Sequence, residues 1–146
     1  MKQSVMLSIR GRQAYQDQQP DEIELVTEGV LERGDGCWHL RYEESELTGM
    51  AGVTTAFQIE PGKITLTRTG KLNSQMVFQE GVVHDSLYRM EFGALMISVM
   101  PSVIKADIDE NGGVIDLVYA IEIEQSAAGV IDYHLEIRPK ANAIDM

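Results

Sequence analysis

The chain has 146 residues, of which 44% are hydrophobic and 24% charged, so it is long enough to bury the core of one globular domain. Its 23 acidic and 12 basic residues give a net charge of −11, which disfavours binding to the phosphate backbone of nucleic acids. No stretch approaches the roughly 20 apolar residues of a membrane helix, and the single cysteine, Cys37, excludes an internal disulfide. We therefore expect one cytoplasmic domain over residues 1–146, with no nucleic-acid or membrane partner.

Alternation of apolar and polar residues, interrupted by turn residues about every ten positions, is the dominant pattern of the chain. The turn Glu60-Pro61-Gly62 separates two such segments, because Pro presets φ and Gly accepts a positive φ. Pro101 falls between two further segments and predicts a bulge or bend. Short helical turns fit within 13–19 and 46–52. The predicted strands, in chain order, cover residues 4–11, 22–32, 37–44, 54–59, 63–69, 73–79, 84–92, 95–100, 103–108, 114–124 and 131–138.

Each of these roughly ten strands carries one apolar face, and that shared property predicts how they assemble. Their short connections favour antiparallel pairing of neighbours in an up-and-down meander. A meander that curls and closes hides every apolar face in one core and removes its open edges. The sequence therefore predicts an all-β fold, a closed or nearly closed β-barrel, with a two-sheet sandwich as the alternative.

Several short motifs occur in an order that resembles a known family. They are Tyr42-Glu43-Glu44, the stretch ITLTRTG ending at Gly70, Ser74-x-Met76-x-Phe78, Tyr88-x-Met90-x-Phe92-Gly93, Gly113-x-Ile115-x-Leu117-x-Tyr119 and Leu135-x-Ile137. Together they resemble the YwiB-like family of small bacterial proteins, a domain of unknown function, over nearly the whole chain. The resemblance implies a calycin-like barrel, similar in shape to lipocalins and fatty-acid-binding proteins. It implies no activity, because a fold alone does not fix a function.

Patterns of metal ligands and catalytic residues are incomplete in this sequence. The stretch 107–112 (DIDENG) matches the first half of a calcium-binding loop, but Val118 stands where the bidentate glutamate is required. The stretch therefore predicts a β-hairpin turn. The three histidines are dispersed without ligand spacing. We expect neither a metal nor a cofactor.

Two charged residues on inward-facing positions are more informative. Arg68 ends the apolar face of the segment 63–69, and Glu44 ends that of the segment 37–44. Buried charges are costly unless they are paired. We therefore hypothesise that Glu44 and Arg68 meet inside the barrel or at its opening.

Tyr88, Ser74 and Tyr119 also lie on interior positions and could supply hydroxyl groups to the same site. Three interpretations of this set stay open. The charges form a polar plug that fixes the register of the barrel, or Arg68 binds the carboxylate or phosphate of a ligand through its planar fork of donors. In the third, the parity breaks at a bulge near Gly70 and Arg68 reaches solvent. A cavity on the order of a few hundred Å³ beside Arg68 would favour a ligand, whereas an interior filled by side chains would exclude one.

These observations favour a non-enzymatic binding module that holds a small amphipathic or acidic molecule, with Arg68 as its anchor. The alternative is an interaction or scaffold protein, such as a homodimer formed through an outer face of the barrel. An enzyme ranks last, since two charged residues without a nucleophile or a metal do not define a reaction. In the alternative, the apolar patch on the outer face of the barrel would include Val26, Val30, Val77 and Val118.

Overall fold

The computed structural model describes residues 2–14, 21–45, 50–90 and 93–140, with Asp21 and Met90 described by their backbone alone. Within these ranges there is no helix long and apolar enough to cross a membrane. The chain forms ten strands there: β1 (Lys2–Ala14), β2 (Asp21–Gly34), β3 (Cys37–Glu43), β4 (Val53–Glu60), β5 (Lys63–Gly70), β6 (Ser74–Gln79), β7 (His84–Met90), β8 (Gly93–Asp109), β9 (Gly112–Ile123) and β10 (Ser126–Pro139).

The strands form one antiparallel sheet in the order β6-β5-β4-β3-β2-β1-β10-β9-β8-β7. Strand β1 pairs with β10 from Val5 opposite Pro139 to Ala14 opposite Val130, so the first and last strands close the sheet between them. The two remaining edges, β6 and β7, face each other and share an isolated bridge between Asn73 and Arg89. The structure thus confirms the predicted all-β meander, curled into a nearly closed barrel.

The strands lie where the pattern predicts them, but several are longer than expected, such as β1 (Lys2–Ala14) and β10 (Ser126–Pro139). The predicted strands 95–100 and 103–108 form the single strand β8, which shifts register between Pro101 and Val103 and so contains the expected bulge. No helical turn begins at Gln13, because Gln13 and Ala14 extend β1, and residues 15–20 lie outside the described ranges. Of the second expected helical stretch, 46–49 lie outside those ranges, and the residues that follow form a turn into β4.

Inward-facing side chains of all parts of the sheet meet in one core. Fully buried aliphatic and aromatic groups contribute about 1.5–3 kcal/mol each relative to exposure. Ile23 also faces the interior, where it lines the cavity of the barrel, but it is 45% exposed. The largest fully buried side chains are Phe57, Phe78, Leu7, Leu31, Leu40, Ile64, Ile115, Leu117, Leu135, Val5 and Val99.

The pairing of β4, β5 and β6 keeps Arg68 on the inner face of the barrel. Arg68 lies opposite Thr55 on one side and Ser74 on the other, and the register runs on to Gly70 without a shift. Gly70 has a φ of 118°, and a Cβ atom at this position would lie 2.2 Å from the carbonyl oxygen of Gly52. This close approach requires glycine, and the bulge that would have turned Arg68 toward solvent is absent from this part of β5.

Candidate functional site

The barrel contains a cavity of about 380 Å³ beside Arg68. Most of its lining is aliphatic or aromatic, and Glu44 and Arg68 are the charged groups among the described lining residues. The volume falls within the range of about 300–1,000 Å³ that is typical of small-molecule sites. The cavity beside Arg68 thus has the size that we expected for a ligand site. The apolar lining includes Ile9, Leu25, Phe57, Leu66, Met76, Phe78, Leu95, Ile97, Leu117, Ile121, Ile123 and Ile131.

Glu44 is held at this cavity by hydroxyl groups and by its own backbone. The residue is 7% exposed and follows the end of β3, where its backbone N–H donates to the carbonyl of Val53 at 2.9 Å. The Thr55 hydroxyl, which is fully buried, donates to Glu44 Oε2 at 2.5 Å. Short contacts of this kind are typical of a hydroxyl donating to a carboxylate. The buried carboxylate of Glu44 is thereby stabilised by a hydrogen bond from within the protein.

Tyr42 and Tyr133 extend this hydrogen-bonded group across the barrel. Their hydroxyl oxygens lie 3.4 Å apart. Burial and then the charge of Glu44 raise the pKa of Tyr42 from 10 to about 12, whereas its hydrogen bond with Tyr133 lowers it. Burial also raises the pKa of Tyr133 well above 10, and here the same hydrogen bond contributes in the upward direction.

The carboxylate of Glu44 sets the direction of these hydrogen bonds. A carboxylate only accepts, so Tyr42 donates its single proton in the hydrogen bond that it shares with Glu44. The Tyr42 oxygen is then the acceptor for the hydroxyl of Tyr133, 3.4 Å away. Two hydroxyl groups, one from Tyr42 and one from Thr55, thus converge on the carboxylate.

Arg68 lines the cavity close to this group but does not form the expected ion pair. Its charge lowers the pKa of both Tyr42 and Tyr133, which shows that it lies near them. In the described part of the chain, however, the ion pairs within 4.0 Å do not join Arg68 to Glu44. Among the described residues, the buried Arg68 Nε has no hydrogen-bond partner. The contacts that the structure shows for the carboxylate include hydroxyl donors from Thr55 and Tyr42.

The other predicted site residues divide into two groups. Tyr88 and Tyr119 line the cavity, and Tyr119 packs edge-on against Phe78 with ring centroids 4.8 Å apart. Ser74 lies on the inner face opposite Arg68, but it is not part of the lining, and its buried Oγ has no protein partner. Four of the five predicted residues thus line one cavity, and the fifth, Ser74, is not among the lining residues.

Sequence reasoning missed three members of the site, namely Thr55, Tyr42 and Tyr133. All three lie on inward-facing positions that strand parity predicts. Only the cross-strand register, which places Tyr42 opposite Thr55, brings them to Glu44. Parity gives the face of a strand, and register gives the neighbours on that face.

Features elsewhere in the described chain are less suited to a site. A larger cavity of about 650 Å³ lies at the opposite end of the barrel, where Trp38 is flanked by charged groups of both signs from turns and strand ends. His134, on the outer face, has Nδ1 2.5 Å from Asp116 Oδ1 and Nε2 3.1 Å from Glu136 Oε1. Among the described residues there is no group of three or more His, Cys, Asp or Glu side chains arranged to hold a metal ion.

The outer valines of the alternative interpretation do not form one surface. Val26 and Val30 belong to β2, Val77 to β6 and Val118 to β9. In the sheet order, two or more strands separate each of these three strands from the others. The four residues therefore lie on three separate parts of the outer face of the described sheet.

Fold and cavity together define the class of protein: a nearly closed, ten-stranded antiparallel β-barrel with an apolar cavity that carries an arginine and a carboxylate. The chain belongs to the family described as a domain of unknown function, DUF1934, which it matches over residues 7–137. It is 26% identical over 124 residues to the uncharacterized β-barrel protein YwiB of Bacillus subtilis strain 168, covering 84% of this chain and 86% of that protein. The crystal structure of the ywiB protein from Bacillus subtilis superposes with a TM-score of 0.86 at 20% identity, covering 96% of this chain and 94% of that one. This similarity supports the fold.

Proposed function

We propose that this protein is a non-enzymatic binding module that holds a small amphipathic acid in the barrel, with the anionic group of the ligand at Arg68. The observation that carries the proposal is the apolar cavity of about 380 Å³ in which Arg68 is the one cationic side chain among the described lining residues. Its volume corresponds to about a dozen non-hydrogen atoms, taking roughly 30 Å³ for each as for water.

The arrangement around Glu44 explains why Arg68 suits a ligand. If Glu44 were the direct partner of Arg68, the two charges would neutralise each other as a structural plug. Instead, the carboxylate accepts hydrogen bonds from Thr55 and Tyr42, which leaves the guanidinium group to interact with a ligand acid. A charge-assisted, bidentate contact with a carboxylate suits the planar fork of arginine.

The chemistry of the walls selects the rest of the ligand. Aliphatic and aromatic groups from all ten strands contact the space around Arg68, so a ligand needs an apolar body to replace water there. Tyr88 and Tyr119 add hydroxyl groups at the walls. The proposal includes a cytoplasmic location, in keeping with the single free Cys37.

Native mass spectrometry of untreated, purified protein tests this function. Wild-type protein should carry one small acid per chain, and Arg68→Ala should lose it. Arg41→Ala is the matched control, because Arg41 is exposed on the outer face of β3, which lies two strands away from β5 in the sheet. An adduct that is retained equally by Arg68→Ala would contradict the proposal, as would a wild-type protein that carries no acid and also fails to bind naphthalene-2-carboxylate.

A further inference from the structure

The two open edges of the barrel meet out of register. At one end, Asn73 and Arg89 exchange two backbone hydrogen bonds of 2.9 and 2.8 Å. At the other end, the turn that joins β6 to β7 pairs Gln79 with Val82 at 3.0 Å. If the register of the first bridge continued, Gln79 would face Val83, which is one residue further along. A regular ladder therefore cannot join both ends, and we call the interval between the two bridges the seam.

Backbone groups on both sides of the seam point toward each other without forming a ladder. Because Arg89 directs its N–H and C=O toward β6, alternation along β7 directs those of Leu87 and Asp85 the same way. On β6, the corresponding groups belong to Gln75 and Val77. Between the two bridges, no backbone-to-backbone hydrogen bond joins the described residues of β6 and β7.

Two side-chain contacts hold the seam instead. The Ser86 hydroxyl donates to the backbone carbonyl of Gln75. Closer to the turn, His84 Nε2 lies 3.3 Å from Gln79 Oε1. These contacts are fewer than the ladder bonds of an ordinary strand pair, so we expect this joint to open more readily than the continuous ladders of the described sheet.

Apolar side chains lie on both sides of this joint. Inside, Met76 of β6 and Tyr88 of β7 line the cavity that contains Arg68. Outside, Leu87 and Met96 face each other across β7 and β8, and each is 41% exposed. An amphipathic molecule therefore finds apolar surface on the outer face and again directly behind the seam.

We propose that the seam is a lateral portal through which an amphipathic acid enters the barrel cavity. This inference rests on the proposed function and adds the route by which the ligand reaches the cavity. Opening separates β6 from β7 at the Ser86 contact, while the Asn73–Arg89 bridge and the turn stay in place. The portal does not accommodate a peptide strand. Strands in a sheet lie about 4.8 Å apart, so an inserted strand would break the Asn73–Arg89 bridge.

Stopped-flow fluorescence with naphthalene-2-carboxylate, an aromatic acid of about a dozen non-hydrogen atoms, tests the portal. In Ser86→Ala, the association and dissociation rate constants should both rise about fivefold, the effect of losing one hydrogen bond that holds the closed state. The dissociation constant should not change, since Ser86 is not part of the cavity lining. His84→Ala should act in the same direction.

Ser102→Ala is the matched control. Its hydroxyl also donates to the backbone carbonyl of a neighbouring strand, at 3.2 Å from the Val118 oxygen, but between β8 and β9, which form a continuous ladder around their bulge. Its rate constants should equal those of the wild type. Unchanged rates in Ser86→Ala as well would overturn the portal and leave the binding function standing, whereas the absence of any binding to wild type would overturn the binding function first.

Amide hydrogen exchange provides a readout that does not depend on a ligand. The amides of Leu87 and Val77 should exchange much faster than those of the central strands β3 and β4, and Ser86→Ala should accelerate them further. Slow exchange at both amides in wild type would show a closed ladder and contradict the portal.

Discussion

The hydrogen bond between Thr55 and Glu44 provides a quantitative test of the polar group inside the barrel. Thr55→Val keeps the shape of the side chain and removes only the donor. Because Thr55 is 0% exposed and its hydroxyl lies 2.5 Å from Glu44 Oε2, the substitution removes the donor at a fully buried position. A hydrogen bond to a charged group contributes about 1.5–3 kcal/mol. We therefore expect the free energy of unfolding to fall by that amount.

The same substitution in a Glu44→Gln background separates charge from packing. There the acceptor is a neutral amide oxygen, and a hydrogen bond of this kind contributes about 1 kcal/mol. The loss on Thr55→Val should therefore be smaller by about 0.5–2 kcal/mol in the Glu44→Gln background than in the wild type. Thr65→Val is the matched control, because Thr65 is a buried threonine of the adjacent strand β5 whose hydroxyl contacts no carboxylate among the described residues.

Equilibrium unfolding in urea measures all of these differences. For a domain of this size, each kcal/mol also corresponds to a change of about 3 °C in the melting temperature, which gives a second measurement. A loss below about 0.5 kcal/mol on Thr55→Val, or an equal loss in both backgrounds, would refute the account of how Glu44 is stabilised.

Three further substitutions test other parts of the structure. Hydrogen bonds with Asp116 and then Glu136 raise the pKa of His134 above 6.5, so this histidine stabilises the fold fully below pH 6.5 and the contribution is lost as the pH rises through the raised pKa. Urea unfolding of wild type and His134→Asn should show a stability gap that narrows as the pH rises above 6.5, and a pH-independent gap would contradict this. Ser74→Ala removes a buried hydroxyl that has no protein partner, so stability should stay unchanged or rise by up to about 1 kcal/mol, and a clear loss would show a partner. Gln125 has a φ of 69°, and Gln125→Gly should raise the free energy of unfolding by about 0.5 kcal/mol, whereas a fall would show that this conformation is not strained.

Strand parity was sufficient to predict the faces of the barrel and its two unusual charges. Arg68 and Glu44 both lie on the inner face, as the alternation of β5 and β3 indicated. The partner of each charge was not predictable, because it depends on which residues stand opposite on neighbouring strands. Thr55 is a common strand residue, and only the pairing of β4 with β3 and β5 gives it a role.

The seam illustrates the same limit at the level of the whole sheet. The segments of β6 and β7 each show ordinary alternation, and a hairpin between them is the natural expectation. The mismatch arises from a one-residue difference between the register at the Asn73–Arg89 bridge and the register at the Gln79–Val82 turn. The sequence of one strand cannot show such a difference, because register is a property of two paired strands.

The most direct test of the central claim compares two ligands that differ in charge and hardly in shape. Isothermal titration should show that wild-type protein and the control Arg41→Gln bind naphthalene-2-carboxylate about 10- to 100-fold more tightly than the neutral naphthalene-2-carboxamide, the effect of one charge-assisted contact. Arg68→Gln should bind both ligands with similar, weak affinity. If wild type binds the two ligands equally, or if Arg68→Gln keeps the preference for the acid, then Arg68 is not the anchor of a ligand in this cavity.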